Sequence, residues 1–229
     1  MLFDLQSRRR RTAVKFIYAL LAVLMAGGLV LFGIGAGNGN GGIASSLVGN
    51  GSSGNSTENA TINKAIKAAQ AKITADPKSA GAWNALIQAR YEQANSAADF
   101  NSTTETYTAG GKTALKEMLS AYIKYAALVK GPESVTTAFQ AAHAYAQTGE
   151  YADATGAWQA FLQAEPGNLR GFECLAYTGY AAKDTTLADE AAAKAVAQTP
   201  KLDQLTVKTD FKDAKSNKAT AEDAALAEC

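Results

Sequence analysis

The chain of 229 residues has room for one ordinary domain plus accessories. Its formal net charge of +1 conceals a split: Asp4, Arg8 to Arg11 and Lys15 give the first fifteen residues +4, and the remainder carries 17 basic and 20 acidic side chains, a net −3. Beyond the N-terminal cluster nothing is built to follow a phosphate backbone, which sets nucleic acid aside as a partner, and two cysteines are too few for a disulfide framework.

Residues 1–15 read as a cytoplasmic basic segment. Phe16 to Gly37 follows with 22 uncharged residues, roughly 33 Å of helix and enough to cross a hydrocarbon core of about 30 Å. Basic residues stay on the cytoplasmic side, so the pattern predicts a single-pass transmembrane helix over 16–37, its N-terminus inside and the rest of the chain extracytoplasmic. A cleaved signal peptide is the competing reading, although its apolar core of about 7–15 residues is shorter than this one. Ser7-Arg8-Arg9 also hints at a twin-arginine signal. Ala22 with Ala26 and Gly33 with Gly37 have the spacing of helix-association motifs, which leaves a homo-oligomer in the membrane open.

Residues 38–60 are dominated by Gly, Asn and Ser. Such a segment buries too little apolar surface to offset the entropy of ordering, so a flexible linker is expected. Gly37-Asn38-Gly39-Asn40-Gly41-Gly42 matches a dinucleotide-binding glycine pattern in form, but no strand precedes it and no amphipathic helix follows at once. The glycosylation sequons at Asn55, Asn59 and Asn101 read as coincidence in a chain rich in small polar residues.

From Ile62 on the pattern is helical. Ile62, Ala65, Ile66, Ala69 and Ile73 recur at helical spacing and predict a capping helix. Pro132, Pro166 and Pro200 then lie 34 residues apart, each after an alanine-rich helical stretch. A fixed period of this size marks a repeat architecture, because one helical hairpin cannot bury its apolar face alone and stacks on its neighbours. In the unit Val135 to Asn168 the notable residues are Tyr145, Gly149, Tyr151, Ala154, Trp158 and Pro166; in Leu169 to Leu202 they are Phe172, Leu175, Ala176, Ala188, Ala195 and Pro200. These residues and the period resemble the tetratricopeptide-repeat (TPR) family. Trp83 lies six residues after Pro77, as Phe172 lies after Pro166, and so marks an earlier unit, with Leu86 and Ile87 following. That unit is interrupted by an insertion over Asn95 to Gly111, and its second helix is expected from Lys112 to Val129. The expectation is an all-α protein: a TPR-like helical-hairpin solenoid over 61–202, preceded by the transmembrane helix and linker. Over 203–229 a polar tail follows, for which capping and disorder are both open.

The resemblance implies that the first helix of each unit lines a concave, partner-binding face. Carried over residue by residue, that face holds Asn84, Gln88, Tyr91 and Glu92 from the interrupted unit. The central unit adds Phe139, His143 and Gln147, and the last adds Arg170, Glu173, Tyr177 and Tyr180. Tyr91, Phe139, Tyr177 and Tyr180 are anchors of the kind that dominate binding energy. The alternative is that the inserted loop or the tail folds back and covers them. No groove position holds a lysine, so the sequence departs from the TPR class that clamps a C-terminal carboxylate, and an extended peptide or partner helix suits it better.

Catalysis has little support. His143 is the only histidine, no metal-ligand spacing or nucleophile–base motif is present, and no cofactor is implied. Cys174 falls in a helix and Cys229 is the last residue of the sequence; both are expected to be unpaired within one chain, with a bond between chains through Cys229 as the alternative in an oxidising compartment. The layout is similar to single-pass TPR factors that accompany the bacterial secretion translocon, and Phe32-Gly33-Ile34-Gly35 resembles the anchors of membrane-bound periplasmic foldases. The functional expectation is a membrane-anchored, protein-binding adaptor or chaperone-like factor facing the cell envelope. The alternative is an accessory or assembly subunit of one membrane complex.

Overall fold

The computed structural model describes residues 54–229, with side chains from residue 57 on. The basic segment 1–15, the apolar stretch 16–37 and most of the linker therefore lie outside the described residues. Within them the architecture is all-α, with nine helices and one two-stranded ribbon. No described helix is long and apolar enough to cross a membrane.

Helix α1 spans Gly54–Ala75. It starts before residue 61, so the last residues assigned to the linker, 54–60, are helical. The reason is cooperativity: Ile62, Ile66 and Ala69 are buried on one face, and a helix nucleated there extends toward its N-terminus at little further cost.

Three helical hairpins follow. The first pairs α2 (Ala80–Ala94) with α3 (Ala109–Ala126), the second α4 (Val135–Thr148) with α5 (Tyr151–Ala164), and the third α6 (Leu169–Ala181) with α7 (Thr185–Gln198). All four prolines of the chain stand at the corners that begin a new element pair: Pro77 before α2, Pro132 before α4, Pro166 before α6 and Pro200 after α7. A proline lacks the N–H that would extend the preceding helix. Two residues after Pro77, Pro132 and Pro166 stand Ser79, Ser134 and Asn168, whose side chains accept from the backbone N–H groups of Ala82, Thr137 and Gly171. Each corner thus stops one helix and caps the next.

The turns inside the second and third hairpins also correspond. Gly149 closes α4 with φ 82°, and 34 residues later Lys183 adopts the same left-handed backbone with φ 64°. Ala142, Ala154, Ala176 and Ala188 have no exposed surface, so the paired helices approach closely. In the core Trp158 is fully buried and meets Phe139 and Phe161 edge-on at 5.7 and 5.4 Å between ring centres.

Between α2 and α3 the insertion forms a short ribbon, β1 (Phe100–Asn101) against β2 (Thr106–Tyr107), antiparallel, with Phe100 opposite Tyr107. Segment 203–229 is helical: α8 (Gln204–Ser216) and α9 (Lys218–Ala227). Helix α8 packs on α6 and α7, and α9 turns back to lie on α6 and α4.

Candidate functional site

The first helices of the three hairpins, α2, α4 and α6, carry all eleven residues assigned from the sequence to the partner-binding face. Residues three or four apart share one side of a helix, which places Asn84, Gln88 and Tyr91 together on α2 and Phe139, His143 and Gln147 together on α4.

Between α2 and α4 these side chains are joined to one another. Thr137 Oγ1 donates to Asn84 Oδ1 at 2.7 Å, and Gln140 Nε2 donates to Gln88 Oε1 at 2.9 Å. One turn further on, the Tyr91 hydroxyl lies 3.3 Å from His143 Nδ1, and Gln147 Nε2 lies 3.5 Å from His143 Nε2. Numbers rise together on both helices along this ladder, so α2 and α4 run parallel, as tandem repeats require. Thr137 and Gln140 are buried and were not among the sequence candidates. A polar pair at helical spacing on an otherwise apolar stretch was the available signal.

The insertion reaches back over the ladder. Tyr107 is buried, its hydroxyl donates to Asn95 Oδ1 at 2.8 Å, and its ring meets the imidazole of His143 edge-on at 6.2 Å. Burial, reinforced by the nearby positive charge of Arg170, lowers the His143 pKa to about 4. The imidazole is therefore neutral at pH 7. The Tyr91 hydroxyl and the Gln147 amide face its two ring nitrogens, so which of them donates follows from which nitrogen carries the ring proton. Two tyrosines, a glutamine and an arginine surround it, a set that holds an imidazole in one state rather than one that cycles its proton.

At the α4–α6 end the inner face is occupied by α9. Ala221 and Ala225 are buried beneath it. Arg170 Nε donates to the Glu228 carbonyl at 3.2 Å, and the guanidinium lies 5.6 Å from the Phe139 ring centre. Lys218 on α9 stands 5.6 Å from the Tyr151 ring centre and pairs with Glu222. Glu173 is held above the usual carboxylate range, first by burial and then by the charge of Glu228, with Arg170 opposing. Cys174 and Cys229 are bonded to each other, with Cα atoms 5.5 Å apart and a sequence separation of 55. This corrects the expectation of two unpaired cysteines. The pairing was invisible in the sequence because it depends on α9 folding back across α6.

Three of the expected anchors are placed differently. Tyr180 turns away from the inner face: its hydroxyl donates to Asp189 Oδ1 on α7 at 2.9 Å, and it helps line a groove of about 440 Å³ between α7 and α8 with Phe211, Val196 and three lysines. Tyr177 is buried against Phe211, ring centres 5.1 Å apart. Burial, with Asp210 next, pushes its hydroxyl up to about 12. Phe139 is half-buried against Trp158 and Phe161 and belongs to the core as much as to the surface. The inner face is thus covered by the insertion at one end and by α9 at the other, the alternative that the sequence left open. Among the described residues no group of three or more His, Cys, Asp or Glu side chains is placed to hold a metal ion.

No family model matches the chain, and neither a curated protein nor a solved structure does.

Proposed function

We propose that this protein is a helical-repeat adaptor of the TPR type, tethered to a membrane through residues 16–37, whose inner face on α4 and α6 binds an α-helical segment of a protein partner. The observation that carries this reading is the seat of α9. An alanine-seamed helix already lies across α4 and α6, over Arg170, Glu173 and Cys174. A face that accepts a helix from its own chain has the shape and chemistry to accept one from another.

The TPR assignment is supported by features that recur at 34 residues: the proline corners, the capping serine and asparagine, the buried alanines, and the left-handed turns at Gly149 and Lys183. An extracytoplasmic site is supported by the Cys174–Cys229 bond, since disulfides persist in oxidising compartments. With the basic flank and apolar stretch of the N-terminus, this gives a tethered adaptor or chaperone-like factor at the bacterial envelope, near the secretion machinery. In vivo photocrosslinkers at Arg170 and Gln147 test it. Capture of translocon subunits or emerging chains is the expected result; capture of neither during active secretion rejects the reading.

A second reading, an accessory or assembly subunit of one membrane complex, is favoured by the α7–α8 groove. Its floor of Tyr180, Val196 and Phe211 and the Lys208 and Lys212 side chains of its rim, where Lys215 is already paired with Asp189, suit one acidic partner held permanently. That reading predicts constant stoichiometry with a single protein after mild detergent extraction, and a broad client profile argues against it.

A further inference from the structure

We infer that the Cys174–Cys229 disulfide is a redox lock on the inner face: while it is intact α9 occupies the partner seat, and its reduction frees that seat for a partner helix with small residues at i and i+4. The inference rests on the reading of the inner face as a helix-binding surface.

The argument starts from how little else holds α9. The helix is ten residues long, shorter than a helix that persists alone in water. Its buried side chains are two alanines, Ala221 and Ala225, each contributing a single methyl group. Its polar attachments are exposed: Lys218 over the Tyr151 ring, and the Arg170 bond to the Glu228 carbonyl. Glu228 stands near Glu173, and two like charges loosen the seat rather than tighten it. By contrast, the covalent link fixes Cys229, two residues beyond the end of α9, to Cys174 on α6, so α9 stays at its seat while the bond is intact. Docking is thus weak by contact and strong by tether, which is the balance a releasable element needs. The rest of the solenoid does not share this dependence. Its first two hairpins are held by Trp158, Leu115, Met118 and Ile87, all fully buried, and the third by Phe172, Leu175 and a seam of buried alanines.

The chemistry is a thiol–disulfide exchange with a dithiol reductant, small or protein-borne. One thiolate of the reductant attacks Cys229 Sγ. The Sγ–Sγ bond breaks, and Cys174 leaves as a thiolate that takes a proton. The second thiol of the reductant then resolves the mixed disulfide, forming the reductant's own disulfide and releasing the Cys229 thiol. Two electrons and two protons pass to the pair. Both cysteines are buried, Cys174 fully and Cys229 with 5% exposed, so attack falls on Cys229 when the end of α9, whose Ala227 and Glu228 are exposed, frays.

What α9 presents defines the partner. Its seam is Ala221 and Ala225, its flanks carry Glu222 and Asp223, and its last turn brings a carbonyl to Arg170. A trans helix that replaces it needs small side chains to fit where only methyl groups now lie, and a carbonyl at its C-terminal end to accept from Arg170.

Hydrogen exchange on the full-length protein in mild detergent, with and without dithiothreitol, tests the lock. A fluorescent peptide of residues 217–229 carrying Cys229→Ser is the probe of the seat. Reduction should speed exchange at amides 219–227 about tenfold or more, leave amides of α5 protected, and switch on peptide binding that the oxidised protein lacks. Cys229→Ala should behave as the reduced protein without reductant. Unchanged exchange at α9 on reduction overturns the lock, and the crosslinking at Arg170 and Gln147 then judges the binding face by itself. Faster exchange in α5 as well makes the bond a staple of the whole fold and overturns the lock. Release of α9 without peptide binding overturns both the lock and the helix-binding reading of the face.

Discussion

The Tyr91 hydroxyl on α2 lies 3.3 Å from Nδ1 of His143 on α4, 52 residues away in the chain. This contact ends a ladder of side chains that holds the first hairpin against the second, and it encloses the only histidine of the sequence.

That enclosure makes stability depend on pH. In the unfolded chain His143 titrates near 6.5; in the fold, burial and then Arg170 lower its pKa to about 4. Between those values the unfolded state binds the proton and the folded state does not, so stability is greatest above pH 6.5 and is lost as pH falls toward 4. The expected loss is about 1–3 kcal/mol. Thermal melts between pH 7 and pH 4.5 should show a falling midpoint that is flattened by His143→Gln. An equal slope in the variant would place the acid sensitivity elsewhere.

The next rungs make a separate prediction. Thr137 has no exposed surface and donates to Asn84 Oδ1. Asn84→Leu removes the acceptor and should cost about 1–3 kcal/mol, because a buried hydroxyl loses its partner. Asn84→Leu with Thr137→Val removes both groups and should recover most of the loss. Denaturant titrations of the two single variants and the double close the cycle. Additive losses would show that the rung has no coupling.

The hairpin turns carry a third. Lys183 holds φ 64° where the preceding hairpin has Gly149 at φ 82°. A side chain in left-handed backbone is strained and glycine is not. Lys183→Gly should therefore stabilise the fold by about 0.5–1 kcal/mol, and Gly149→Ala should destabilise it by about 1 kcal/mol. Chemical unfolding measures both, and a loss of stability in Lys183→Gly would mean that the lysine side chain holds the turn.

Much of the frame was legible because local chemistry agrees with tertiary structure there. Pro77, Pro132, Pro166 and Pro200 stop helices by covalent constraint, and Ser79, Ser134 and Asn168 cap the following ones by a local hydrogen bond. Such signals act within a few residues and survive in a bare sequence. The state of the inner face was not legible for the opposite reason. Tyr107 reaches His143 across 36 residues and Cys229 reaches Cys174 across 55, and neither approach leaves a periodic trace. Tyr180 was misplaced by the same limit: its repeat position points inward, but α7 supplies Asp189 and α8 supplies Phe211, and together they draw it outward.

Two glycines on adjacent helices give the sharpest test of how tightly the hairpins stack. A methyl group added at Gly171 on α6 would lie 2.8 Å from Leu162 Cδ2 and 2.9 Å from Phe161 Cε1 on α5, whereas one added at Gly156 on α5 meets nothing within 4 Å. Both positions are helical, so alanine gains the same intrinsic preference over glycine at each, about 0.5–1 kcal/mol. At Gly156, which is exposed, that gain should appear undiminished. At Gly171 it should be outweighed, because the Phe161 ring is packed against Trp158 and Phe139 and has little room to yield. Overpacking of this kind costs about 1–3 kcal/mol, for a net loss. Gly156→Ala should thus raise the melting temperature and Gly171→Ala lower it. A stabilised Gly171→Ala would mean that α5 and α6 stand further apart than described, and with them the inner-face seat that α9 occupies.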